Sequence, residues 1–221
     1  MSGKKLFYFG ILPALLFQML GTAFYFLWDS EFSQWIYSAT KLTLLLWPLL
    51  WLASFRKNIP GITSGKGGKL TGVLVGLLFA GLIFLIFELG LNPDLEGIQE
   101  KAASFGLLSP TRYLLFAIFL SLAHALLEEY YWRWFVFRGL QLKFSWSTAA
   151  IIGSAAFAGH HFFILSAFFS LPLTLILGTA VGIGGFIWCF LYHKTNSLWA
   201  PYLSHVLVDG VLMLIGYTIL F

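Results

Sequence analysis

Polar residues interrupt this chain at long intervals, and between them run seven mostly apolar stretches at roughly 6–28, 36–55, 70–90, 113–137, 146–165, 171–192 and 198–220. Each approaches or exceeds the about 20 residues that a helix needs to cross a bilayer's hydrocarbon core. A backbone in hydrocarbon must satisfy its own hydrogen bonds, so stretches of this length predict helices. The expected fold is all-α: a polytopic transmembrane helix bundle of about seven spans, forming a single transmembrane domain over 1–221. The connections are short and leave no room for a separate soluble domain. The longest, 92–112, is polar enough to be a loop, with a short interfacial helix expected at Gly97 to Phe105.

Composition agrees with the pattern. Hydrophobic residues make up 59% of the chain and charged residues only 10%, well outside the balance of a water-soluble domain. The formal charge of +4 does not indicate a nucleic-acid partner, because the basic residues sit in the short loops. Lys4, Lys5, Arg56, Lys57, Lys66, Lys69, Arg138, Lys143 and Lys194 fall on alternate loops, whereas the opposite loops carry Asp29, Glu31, Asp94, Glu96 and Glu100 with only Lys101 and Arg112. This bias predicts a cytoplasmic N-terminus and an outside C-terminus in a multi-pass protein of the cell membrane, the inner membrane if bacterial. The first segment follows Lys4 and Lys5 as a signal peptide would, but it is longer than a signal core and no small-x-small site follows it, so a retained helix is expected.

Several conspicuous features read as structure. Trp28, Trp35, Trp47, Trp51, Trp146 and Trp199 lie near span ends, as in an aromatic belt. Gly72, Gly76 and Ala80, and likewise Gly178, Gly182 and Gly185, are spaced to let helix backbones approach closely. The lone Cys189 excludes an internal disulfide and reads as packing. The loop Gly61 to Lys69 lacks the spacing of a phosphate-binding loop, since only three residues separate Gly61 from Gly65 and Gly67 follows Lys66.

Ionisable side chains within spans are costly, by a few kcal/mol each on insertion scales, and each is a functional hypothesis. They are Lys41 in the second span; Glu128, Glu129 and Arg133 in the fourth; His160 and His161 in the fifth; and His205 and Asp209 in the seventh. Glu129 and Arg133 stand at i,i+4 with the acid first, the favoured order for an ion pair. Glu128 points about 100° away around the helix and is left as the free carboxylate, the candidate general base. The plain alternative is that both acids balance Arg133 and Arg138 at the cytoplasmic interface. His205 and Asp209 also stand at i,i+4, so the carboxylate can orient the imidazole. His124 and His193 read as packing residues.

Three motifs follow in order on these spans. Glu128-Glu129-Tyr130-Tyr131-Trp132-Arg133 reads E-E-x-x-x-R, Phe157 to His161 reads F-x-x-x-H, and His205 to Asp209 reads H-x-x-x-D. Together they resemble the CAAX protease and bacteriocin-processing (CPBP) family of intramembrane endopeptidases, which includes the Ras-converting enzyme. The resemblance covers roughly residues 113–215, the expected catalytic core, and leaves the first three spans unassigned. It implies that Glu128 and His161 activate a water, that His205 and Asp209 stabilise the tetrahedral oxyanion, and that Glu129 and Arg133 support them. His160 is an extra neighbour; the spacing from Phe157 selects His161. The third motif of the family ends in Asn or Asp, and an ionised Asp209 cannot donate to an oxyanion.

Family members have been described as metalloproteases and as glutamate-type proteases. The preferred expectation is that no cofactor is required; the alternative is zinc bound by Glu128, His161 and His205, although the H-E-x-x-H helix motif is absent. The expected partners are the lipid bilayer and a membrane-associated or lipid-modified protein or peptide substrate. Two other classes compete. A transporter or channel would line a pathway with the same ionisable residues, but the sequence has no paired broken helices or repeat halves. A catalytically silent scaffold would not need every motif position.

Overall fold

The computed structural model describes residues 3–28, 31–58, 67–90 and 94–221. Asp29, Gly61, Gly65, Lys66 and the side chains of Glu31, Arg56 and Lys57 lie outside that description. The described residues are helical and form no strand. Seven helices are long and apolar enough to span a membrane: α1 (Gly3–Leu27), α2 (Phe32–Ala53), α3 (Lys69–Glu88), α5 (Pro110–Leu140), α6 (Trp146–Ser166), α7 (Leu171–Thr195) and α8 (Trp199–Leu220). All seven expected spans are therefore present. The short helix expected before the fourth span is α4 (Leu95–Ser104), started by the Asp94 carboxylate, which accepts from the Gly97 N–H at 3.2 Å.

Local sequence explains the other ends. The Ser145 hydroxyl accepts from the Thr148 N–H at 3.3 Å and opens α6, and Pro110 and Pro172 occupy first turns, where a missing N–H costs nothing. Asn196 terminates α7 in the left-handed conformation at φ 49°. The fourth span is longer than the 113–137 expected, and it is not a uniform α-helix. After regular α-helix over Pro110–Ile118, a regular turn through Ala125–Glu129 lies between π-helical segments at Phe119–His124 and Tyr130–Phe137. Such widened turns re-aim side chains and recur at functional sites.

The bundle packs through small residues and a buried aromatic layer. A Cβ on Gly72 would collide with the Ala200 carbonyl oxygen and one on Gly76 would stand 2.8 Å from the Ser204 Cα, so these glycines seat α3 directly on α8. Gly178 faces the Phe162 ring in the same way, and Gly182 meets the Ala158 Cβ, closing α7 on α6. The stretch Tyr131–Phe137 of α5 is buried: Tyr131, Trp132, Trp134, Phe135 and Phe137 pack with Phe157 of α6 and Trp188 and Tyr192 of α7. The first half of the same helix is different. Leu114, Leu115, Ile118, Phe119 and Leu122 are exposed, as a lipid-facing surface requires.

The first two helices are fastened to this core. Leu6, Phe7, Ile11 and Ala14 of α1 and Leu44 of α2 are buried in it, and the Tyr131 hydroxyl donates to the Ala14 carbonyl at 2.7 Å. Gln18 donates to the Thr40 carbonyl at 2.7 Å and Trp47 to the Gly10 carbonyl at 2.8 Å, tying α1 to α2. Described basic residues near the helix ends collect at one end of the bundle. There Lys143 donates to the Tyr8 hydroxyl at 2.6 Å, Arg138 binds Asn196, and Lys69 lies 4.9 Å over the Trp199 ring. At the other end the Asp94 N–H donates to the Phe168 carbonyl at 2.9 Å and Lys101 lies 4.1 Å over the Tyr25 ring.

Candidate active site

Glu128 and Glu129 sit in the regular turn of α5 with their side chains almost fully buried. Buried carboxylates are tolerated only with partners, and consecutive positions on a helix send the two in different directions. Glu129 Oε1 lies 3.1 Å from Arg133 Nη1, the ion pair expected from the spacing. The same oxygen accepts from His205 Nδ1 at 2.8 Å. Glu129 therefore joins α5 to α8 as well as pairing within its own helix. The Arg133 guanidinium is buried and lies 4.6 Å from the Phe157 ring centre and 4.9 Å from that of Trp188, so aromatic faces from α6 and α7 enclose it.

His205 is held on every side. Its ring stacks on Trp188 at 4.3 Å and 21°, and the Trp188 indole N–H is itself fixed by the Ser204 hydroxyl at 2.9 Å. With Nδ1 directed at Glu129, Nε2 faces Asp209 Oδ1 at 3.5 Å and Glu128 Oε2 at 3.8 Å. Sequence spacing made Asp209 the orienting partner of His205. The structure gives the shorter bond to Glu129, because α8 packs directly against α5, a tertiary fact that spacing within one helix does not contain.

Around Glu128 the contacts are longer and the partners are imidazoles. His160 Nε2 of α6 is 3.6 Å from Oε1, and His124 Nε2, one turn earlier on α5, is 4.0 Å from the same atom. Glu128 Oε1 has no hydrogen bond among the described residues. The free carboxylate expected from the helix geometry is thus surrounded by rings without being tightly bound by any. His160 is itself buried and stacks on Trp132 at 6.1 Å and 7°. His161, chosen by motif spacing, lies with its ring centre 4.0 Å from that of His160. Its Nδ1 is 2.9 Å from the Phe157 carbonyl oxygen. A carbonyl only accepts, so this bond puts the proton on Nδ1 and leaves Nε2 of His161 as a lone-pair acceptor.

Glu128, Glu129, Arg133, His205 and Asp209 thus converge in one buried cluster, with His161 beside it across His160. Two participants read differently in the sequence. His160 is the imidazole of α6 nearest to Glu128, and neither its spacing nor its composition marked it above His161. His124 was expected to be packing, yet it borders Glu128; its i,i+4 spacing to Glu128 was the available signal. His193 is a packing residue as expected, stacked on Trp146 at 5.0 Å. Cys189 is likewise buried in the core. The Nδ1 bonds of His161 and His205 would suit metal ligation through Nε2, but Glu128, His161 and His205 do not converge as a ligand set. Among the described residues no group of three or more His, Cys, Asp and Glu side chains is arranged to hold a metal ion.

A seven-span helical bundle with paired carboxylates and histidines buried between its helices defines an integral multi-pass membrane protein built around an ionisable core. Residues 110–211 match the family model described as type II CAAX prenyl endopeptidase Rce1-like. The match takes in every motif residue and stops short of the first three spans. That segment is therefore similar to the CAAX prenyl endopeptidases, a likeness confined to residues 110–211. Comparison with curated proteins and with solved structures gives no match.

Proposed function

We propose that the protein is an intramembrane endopeptidase in which Glu128 is the general base and His161 holds the attacking water. The observation that carries this reading is the environment of Glu128. It is a buried carboxylate approached on Oε1 by His160 and on Oε2 by His205, from two other helices, with none closer than 3.6 Å. A carboxylate used only for structure would be closed by short bonds, as Glu129 is. Free of short bonds, Glu128 takes a proton from water, and the Nε2 lone pair of His161 accepts the other water hydrogen. The water oxygen bonds to the scissile carbonyl carbon, whose π electrons move onto oxygen. The resulting oxyanion is stabilised by an Nε2 proton on His205 and by a neutral Asp209 acting as donor. Collapse of the tetrahedral intermediate breaks the carbon–nitrogen bond, and the proton held by Glu128 passes to the leaving amine.

The substrate in this reading is a lipid-modified or otherwise membrane-associated protein or peptide, cut near the membrane surface. The basic end of the bundle faces the cytoplasm: a reporter fused after Phe221 is expected outside and one in the loop around Gly65 inside, and both on one side would contradict the topology. The reaction is tested with purified protein in lipid nanodiscs and a farnesylated reporter peptide ending in a C-A-A-X sequence. Glu128→Gln is expected to lower cleavage by about 10²-fold or more, the scale for loss of a general base, at unchanged abundance. Near-normal turnover by that variant would reject the mechanism.

A further inference from the structure

Among the described residues, Lys41 is a cation well inside a span that the chemistry above does not use. Its position on α2 is set by a clear periodicity. Leu42, Leu45, Leu46, Leu49 and Leu50 are exposed toward lipid, while Tyr37, Lys41, Leu44 and Pro48 form the opposite, inward stripe, with Leu44 fully buried in the core. α2 packs against the turn of α5 that carries Glu128. Lys41 Nζ lies 5.2 Å over the Tyr37 ring. It thus stands on the face of α2 that packs against the looser side of the cluster. The carboxylates of the cluster have other partners: Glu129 pairs with Arg133 and His205, Asp209 with His205, and Glu128 with the imidazoles. Among the described residues no carboxylate stands within ion-pair distance of Lys41.

A cation on the inward face of a span, next to a hydrolytic site and without a carboxylate of its own, calls for an anion from elsewhere. We propose that Lys41 binds a carboxylate of the peptide substrate and thereby sets where along the substrate the scissile bond falls. The inference rests on the protease reading. A peptide can bring such a group in two ways, as its terminal carboxylate or as an Asp or Glu side chain; either would form a charge-assisted bond in a site of low dielectric. If Lys41 served only to balance the charge of Glu128, its removal would affect all substrates alike.

The test is equilibrium binding to protein carrying Glu128→Gln, so that no probe is consumed, with Lys41 intact, Lys41→Arg or Lys41→Met, at matched abundance in nanodiscs. Three farnesylated peptides of one sequence are compared: one ending in a free carboxylate, its terminal amide, and the amide with an Asp next to the terminus. The carboxylate peptides are expected to bind about tenfold or more tightly than the neutral amide when Lys41 is present. Lys41→Arg should retain the preference, and Lys41→Met should bind all three equally. Whether the free terminus or the Asp peptide gains most identifies the source of the carboxylate. Equal binding of the three peptides to the Lys41 protein, or a uniform loss with Lys41→Met, would overturn the assignment. Since binding is read apart from cleavage, a wild-type chain that cuts none of the peptides would count against the protease reading alone.

Discussion

The two sides of the buried cluster are built to opposite standards. On the Glu129 side the distances are those of closed bonds: 2.8 Å to His205 and 3.1 Å to Arg133, with Phe157 and Trp188 covering the guanidinium. On the Glu128 side the approaches are 3.6 to 4.0 Å, and the facing groups are imidazoles. Two carboxylates adjacent in sequence and equally buried thus have different surroundings. The closed side joins α5, α6, α7 and α8 and fixes the ring of His205; the open side leaves the Glu128 carboxylate without a short bond. A buried charge network that is fully paired rigidifies its surroundings, and one left partly open is where chemistry can enter.

That contrast is broken most forcefully at Glu129. Glu129→Gln leaves Arg133 without its counter-charge in a low-dielectric core and should cost about 3 kcal/mol or more, seen as lost membrane abundance and a lowered thermal transition. Normal folding and normal activity together would show that the closed side is not a structural joint. Asp209→Leu comes next. It fills the helix face but removes a partner of His205, and cleavage should fall by about 10²-fold, while Asp209→Asn, which keeps the shape and offers both a donor and an acceptor, should retain much of its activity. Equal and complete loss in both variants would replace the donor role with a proton-relay or metal role, and repeating both with a chelator separates those two.

The open side is sharpened by its two neighbouring histidines. His161→Gln should lower cleavage by about 10²-fold, since the amide cannot replace an imidazole lone pair fixed by the Phe157 carbonyl. His160→Gln should cost about tenfold, because a side-chain N–H can still face Glu128. The reverse order would move the water to His160. The smallest effect belongs outside the cluster: His193→Phe keeps the stack on Trp146 and should change stability by no more than about 0.5 kcal/mol.

The sequence was informative wherever one helix decides the outcome. Span lengths, the Glu129–Arg133 pair, the small-residue seams at Gly72 and Gly178 and the short helix before α5 all follow from local spacing or composition, and all are present. It was less informative wherever two helices meet. That His205 bonds Glu129 more closely than Asp209, and that His160 rather than His161 lies next to Glu128, depend on how α6 and α8 rotate against α5. The π-helical segments on either side of the Glu128 turn set part of that rotation, and no residue type announces them. Lys41 was visible as an anomaly in an apolar span, but only the inward stripe of α2 connects it to the site.

The central claim is that this bundle hydrolyses a peptide bond with Glu128 as its base. It is tested most directly by incubating membranes from cells lacking the chain with purified wild-type or Glu128→Gln protein in H₂¹⁸O, and sequencing new peptide termini by mass spectrometry. The wild-type protein is expected to generate a new carboxyl terminus carrying one ¹⁸O at a bond near the membrane surface, absent with Glu128→Gln at equal abundance. The same labelled terminus produced equally by both proteins, or no labelled terminus with the wild type, would contradict it.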